Sequence, residues 1–189
     1  PPAALDPLMR ELDALRSSNY VLKEAMVGAS DAALRDPASG LYGRSYADAF
    51  IQALCERGSD FSAAFVRIDH IKELNRSLGA QAVDLLIKDL AEVLSEREAE
   101  AFLFRWTGPV LLLIREGGEP ELFEHLERLK RAIAADKRFE RPITASIALV
   151  RSSELAGGNP FASLQALARE RLKLLDRRGG DAVLDRSDI

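Results

Sequence analysis

The chain has very little sulfur or imidazole with which to build a site: one cysteine and two histidines in 189 residues. Lone Cys55 excludes an internal disulfide framework, and with only His70 and His125 beside it a Cys/His zinc site is nearly excluded. A reducing, cytoplasmic setting fits. Basic charge is not in excess either: Lys plus Arg total 26 against 30 acids, a formal charge of −4. No cationic field advertises DNA, RNA or an anionic membrane, so neither nucleic acid nor membrane contact is expected within this stretch. No run approaches the roughly 18 consecutive apolar residues that a membrane span requires. The chain opens Pro1-Pro2 without an initiator Met, as expected of a fragment of a longer protein, and any membrane or sensor segment would then lie outside it. What is present is globular composition, 47% hydrophobic and 30% charged. The length suits one ordinary domain, since single cores use roughly 100–200 residues.

Two segments are legible, residues 1–35 and 36–189. In the first, Asp6-Pro7 is a good helix start, because Asp caps free N–H groups and Pro needs no donor at the first helical position. Leu8, Leu12, Leu15, Asn19, Leu22 and Met26 then follow alternating steps of four and three, the spacing of a coiled-coil heptad. With Leu12, Asn19 and Met26 at a, the polar Asn19 favours a parallel, in-register homodimer through this helix. The alternative is an amphipathic helix folded onto its own domain. Gly28 weakens the last turns, and Asp36-Pro37 ends the helix.

Beyond the stalk the periodicity alternates. Ser45 to Arg57 reads as a helix and Ser62 to Asp69 as a buried strand. Ala82 to Glu96 is amphipathic, with Val83, Leu86, Leu90 and Val93 on one face. Ala101 to Trp106 and Val110 to Arg115 flank Thr107-Gly108-Pro109, which is hairpin punctuation. Pro120 opens a helix through about Ala135, Ile143 to Val150 is a strand, Pro160 to Arg178 a last helix stopped by Gly179-Gly180, and Ala182 to Leu184 an edge strand. This order predicts an α/β (α+β) domain, a mixed, mainly antiparallel sheet flanked by helices.

Asp36 to Arg44 (DPASGLYGR) is similar to the opening signature of GGDEF domains, an Asp, a Thr-Gly-Leu core and a closing Asn-Arg. Arg67 to Asp84 (RIDHIKELNRSLGAQAVD) resembles their next block, and Arg105 to Leu111 (RWTGPVL) falls where the family has Arg-Tyr and the GGDEF turn. Ile143 to Ala148 resembles its late strand, and Ala168 to Val183 its final helix and glycine-rich exit. The resemblance spans residues 36–184. It implies a nucleotidyl-cyclase-like fold and kinship with diguanylate cyclases, which face one another across a dimer and make cyclic di-GMP from GTP with a divalent cation held by carboxylates.

The departures from the family pattern concern chemistry. The first metal Asp of the family corresponds to Arg67, a permanent cation that cannot ligate Mg²⁺. In the turn Thr107, Gly108, Pro109, Val110, Leu111, the two acidic positions correspond to Pro109 and Val110. The Lys and Arg that hold phosphates in the family align with Asp176 and Gly180. Glu98 and Ala101 stand where the family's inhibitory Arg-x-x-Asp would be, while Arg97 and Glu100 make an Arg-x-x-Glu one residue out of register. What the resemblance retains is Lys72, near the phosphates, and Asn75 and Asp84, the pair that reads guanine. An architectural reading of the last two stands beside it, Asn75 as a helix C-cap and Asp84 favouring the dipole of the next helix. Asp69 is expected to cap the following helix, and Arg67 either to pair with a carboxylate or to meet a phosphate directly. Trp106 is expected to pack, Cys55 to lie in the core or at its boundary, and His125 to sit on a solvated helix face, the two histidines forming no constellation. The expected function is a catalytically inactive GGDEF-like domain without metal or cofactor. It would act as a dimeric regulatory or protein-interaction module, with an unidentified protein partner, in bacterial cyclic di-GMP signalling. The alternative is a receptor that binds a guanine nucleotide, GTP or cyclic di-GMP, without turnover at Arg67, Lys72, Asn75 and Asp84. An active cyclase is a third reading.

Overall fold

The computed structural model describes residues 34–117, 121–155 and 158–188. Contacts divide the chain into Pro1–Arg35 and Asp36–Ile189. The heptad residues Leu8, Leu12, Leu15, Asn19, Leu22 and Met26 lie outside the described residues. Among the described residues no helix is long and apolar enough to cross a membrane.

The second unit runs α1 (Arg44–Glu56), β1 (Phe61–Ile68), α2 (Ile71–Leu78), α3 (Ala80–Arg97), β2 (Phe102–Thr107), β3 (Val110–Glu116), α4 (Leu122–Ala134), β4 (Ala145–Arg151), α5 (Pro160–Arg177) and β5 (Val183–Leu184). The five strands form one mixed sheet in the order β2-β3-β1-β4-β5. β1 is central and antiparallel to both β3 and β4, β2 and β3 form the hairpin, and β5 alone pairs in parallel, on β4.

Helices cover both faces, which is why β1 is apolar nearly throughout instead of alternating. Ala64, Val66 and Ile68 of β1 face one way, into a core with Leu86, Leu90 and Leu94 of α3 and Leu126, Leu129 and Ile133 of α4. The opposite face carries an aromatic layer. Phe50 of α1 meets Phe102 and Phe104, and Trp106 joins Phe65 to Phe161 of α5. Each such buried side chain contributes about 1.5–3 kcal/mol of apolar transfer.

Local chemistry fixes the ends that position the site. Asp36 folds the first loop into a tight turn by accepting from the backbone N–H and hydroxyl of Ser39, both at 2.8 Å. Leu41–Gly43 then runs beside β2, with the Arg105 N–H donating to the Tyr42 carbonyl at 2.7 Å. α5 begins with Asn159 accepting from the Ala162 N–H and with Pro160 at its first position. It ends with the Gly179 N–H donating to the Asp176 carbonyl and the Gly180 N–H to that of Leu175. This Schellman pattern requires positive φ, and Gly179 has φ +94°.

Candidate functional site

At its end β1 delivers two side chains toward α5. Arg67 lies opposite Val110 on β3 and Ser146 on β4. Its guanidinium reaches across to Asp176 near the end of α5, both amino groups donating to the two carboxylate oxygens. The arginine side chain is 16% exposed and the aspartate 60%, so a sheltered cation meets an open anion. Of the carboxylates open to Arg67, the one it meets in the structure is Asp176.

Asp69 does not cap the helix that follows. α2 is preceded by His70 in the left-handed region, φ 54°, with no side-chain cap. The carboxylate of Asp69 turns inward instead and accepts from the Ser146 hydroxyl at 2.5 Å, the Thr144 hydroxyl at 2.8 Å and the Asp181 N–H at 2.8 Å. The reason is burial: Asp69 is only 5% exposed, and a buried carboxylate takes as many donors as it can reach. It thereby stitches β1, β4 and the exit from α5 together. Gly180 makes room for it, since a Cβ there would lie 2.6 Å from the Asp69 carboxyl carbon.

These residues border a cleft of about 300 Å³, with His70, Lys72 and Gly180 on its rim. Lys72 is exposed there. Asn75, one turn further along α2, and Asp84, in the second turn of α3, are also exposed but do not line this cleft. The architectural reading of that pair is overturned. Asn75 lies inside α2, and the cap is Gly79, with φ +84°. Asp84 lies beyond the first turn of α3, which holds no acid, and dipole effects fall off within that turn. Asp84 instead acts with Asp36 on Arg105 of β2. Burial pulls the Arg105 guanidinium below its usual range while the two carboxylates oppose the shift. The Arg105 Nη1 is buried without a hydrogen-bond partner.

The hairpin turn is built for geometry. Gly108 takes φ +50° and the register shifts between Arg105 and Thr107. Pro109, Val110 and Leu111 offer no side-chain donor atom to a cation, and Thr107 stands exposed beside them. A divalent cation, which the resemblance implies at this turn, does not fit these residues. Asp69 already accepts from three donors, Asp176 is held by Arg67, and a hard cation needs free anionic oxygens. Among the described residues no group of three or more His, Cys, Asp or Glu side chains is placed to hold a metal ion.

A second polar centre escaped sequence reasoning. Glu98, its side chain 1% exposed, accepts from Arg115 at 3.1 Å and pairs with the His125 Nε2 at 2.7 Å. His125 is thus partly buried and part of a constellation, contrary to the expectation of a solvated face. The three come from the end of α3, the end of β3 and the first turns of α4, so no spacing announces them. Arg97 and Glu100 diverge, the first toward Asp136 at 3.5 Å and the second toward Arg115 at 3.9 Å. Trp106 is 4% exposed and packs between Phe65 and Phe161. Cys55 sits half-buried at the core boundary, where burial pushes its thiol up.

The family model described as Diguanylate cyclase, GGDEF domain matches residues 33–181. Diguanylate cyclase DgcP of Pseudomonas aeruginosa is 29% identical over 137 residues, 69% of this chain but 20% of DgcP. The chain therefore spans about a fifth of that curated relative's length. Among solved structures, the coiled coil and GGDEF domain of DgcB from Caulobacter crescentus, in complex with c-di-GMP, superposes with TM-score 0.70 at 22% identity, over 94% of this chain and 98% of that one. Diguanylate cyclase SiaD from Pseudomonas aeruginosa, in complex with its activator SiaC, gives TM-score 0.70 at 22% identity, over 97% of this chain and 72% of that one. At these identities the two structures establish the fold.

Proposed function

The chain belongs to the GGDEF domain family, and we propose that within it this domain makes no cyclic di-GMP and serves as a regulatory, protein-binding module in signalling by that nucleotide. The observation that carries the reading is the Arg67–Asp176 pair. Where the resemblance puts a metal carboxylate and a phosphate-holding lysine, this chain has a cation and an anion that satisfy each other. One missing metal carboxylate is open to compensation by a neighbour. Arg67, Pro109 and Val110 together remove all three acidic positions, while Asp176 and Gly180 remove both cations that the resemblance assigns to holding the triphosphate. Phosphoryl transfer depends almost wholly on charge neutralisation and positioning, so these losses strike the same step.

The partner-binding half of the proposal draws on SiaD, which is seen with a protein activator. It draws also on the heptad Leu8 to Met26, which would present the domain as a parallel homodimer. Incubating the dimer with GTP and Mg²⁺ or Mn²⁺, followed by chromatography, tests the first half. No cyclic di-GMP is expected, and turnover abolished by Lys72→Ala or Asp84→Ala would overturn it. Calorimetry with GTP separates the module from a nucleotide receptor at Asn75 and Asp84. Metal-independent binding tighter than roughly 100 µM, lost in Asp84→Ala, would favour the receptor.

A further inference from the structure

On the other side of the Arg67–Asp176 pair, between the hairpin and α5, lies a second cleft of about 240 Å³. Arg44, Arg67, Arg169, Lys173 and Asp176 line it, with Trp106 as its floor. Asp176 neutralises Arg67, which leaves three cations facing one hollow. Arg169 and Lys173 are four residues apart on α5, so they share a face one turn apart, and both are exposed. Arg44 is fixed without any carboxylate, its guanidinium lying 5.0 Å from the centre of the Trp106 ring and 5.4 Å from that of Phe161. Among the described residues none of the three side chains has a hydrogen bond or an ion pair.

Like charges gathered in a concave, partly apolar site repel one another and focus the field outward, which favours an anion over water. A planar guanidinium set beside the Trp106 and Phe161 rings matches two oxygens of one phosphate, while an arginine and a lysine one turn apart reach the next along a chain. Trp106 is almost wholly buried, so no ring is free to stack on a base. The site reads phosphate, and Trp106 takes no part in holding a base. Its size suits a small polyanion better than a folded surface.

We propose that the cleft of Arg44, Arg169 and Lys173 binds an oligophosphate anion without a metal ion, either free or as the tail of a nucleotide. It stands apart from the module reading above, because neither turnover nor a protein partner is required for it. The test is calorimetry of the whole chain with sodium tripolyphosphate in buffer containing EDTA. Saturable binding is expected, at least tenfold weaker in Arg169→Glu/Lys173→Glu. It should stay within about twofold in Lys137→Glu/Arg141→Glu, which makes the same change of net charge in the loop before β4. GTP in EDTA distinguishes the sources. Equal affinity means the phosphates alone are read, tighter GTP means a nucleotide tail, and both support the site. Absence of heat with tripolyphosphate at about 1 mM, or equal loss in the two double variants, would overturn it. Tighter binding of polyglutamate than of tripolyphosphate would overturn it in favour of an acidic protein segment.

Discussion

Replacing Gly180 with alanine puts a methyl group against the carboxylate that holds the site together. Two costs add. The backbone there has φ +82°, and an L-residue in that region costs about 1–2 kcal/mol. The new Cβ would also meet the carboxyl carbon and both oxygens of Asp69 at 2.6, 2.7 and 2.9 Å. Asp69 must swing away from at least one of its three donors, and a hydrogen bond to a charged group contributes about 1.5–3 kcal/mol. The expected loss is about 3–4 kcal/mol, or a fall in Tm of about 10 °C for a domain of this size. Gly179→Ala is the internal control. Its φ is +94° but nothing lies within 4 Å of its Cβ, so only the backbone cost of about 1–2 kcal/mol applies. Thermal unfolding followed by circular dichroism should rank the two variants in that order. In an Asp69→Ala background the Gly180→Ala cost should drop to that of Gly179→Ala, because the partner of the clash is gone. Equal costs for both glycines in the parent chain would refute the role assigned to Asp69. The same clash means that the family's phosphate-holding arginine at this position cannot be restored by one substitution.

Three further outcomes are expected. Arg171, 1% exposed, is held by Glu154 and the Leu149 carbonyl. Arg171→Met should cost about 3–5 kcal/mol by leaving a buried carboxylate without its countercharge, while Arg171→Met/Glu154→Leu should recover most of it in urea unfolding. Burial would raise the Glu154 carboxyl, but hydrogen bonds from Arg171 and the Arg151 backbone outweigh it and hold the group below its ordinary range. Asp185 is likewise held low, by Ser187 and Arg151 against burial. Both then bind fewer protons folded than unfolded, so their stabilisation is complete above the ordinary carboxylate range and fades as pH falls through the folded values. Acid unfolding should be less steep in Glu154→Gln, and an unchanged slope would count against this. Asn19→Leu should tighten the coil while relaxing its stoichiometry in light scattering, and a monomer in both proteins would contradict the heptad.

The sheet and helices are legible in the sequence because they rest on period: the apolar run around Phe65, the stripe from Val83 to Val93 and the Thr107–Pro109 punctuation each declare an element within a few residues. Side-chain pairs that join distant elements are not legible in this way. Arg171 sits in a charged stretch, RERLKLLDRR, whose composition does not mark out one buried cation, yet it is buried with Glu154, 17 residues back, as its partner. His125 and Glu98 are separated by 27 residues, and only the docking of α4 beside the ends of α3 and β3 brings them together. Asp69 looked like a helix cap because its position in sequence fits one. Its true partners, Thr144, Ser146 and Asp181, come from β4 and its approach and from the exit of α5. For Arg67 the elementary choice, an arginine between a carboxylate and a phosphate, was visible, but the identity of Asp176 required the fold.

The most direct measurement is electron paramagnetic resonance of Mn²⁺ titrated into the chain with a non-hydrolysable GTP analogue. With Arg67 paired to Asp176 and Asp69 saturated by its donors, the protein should withdraw no more Mn²⁺ from the free signal than the nucleotide does alone. A stoichiometric, protein-dependent loss of that signal, reversed by Asp69→Asn, would show a working metal site beside the hairpin and contradict the inactive reading.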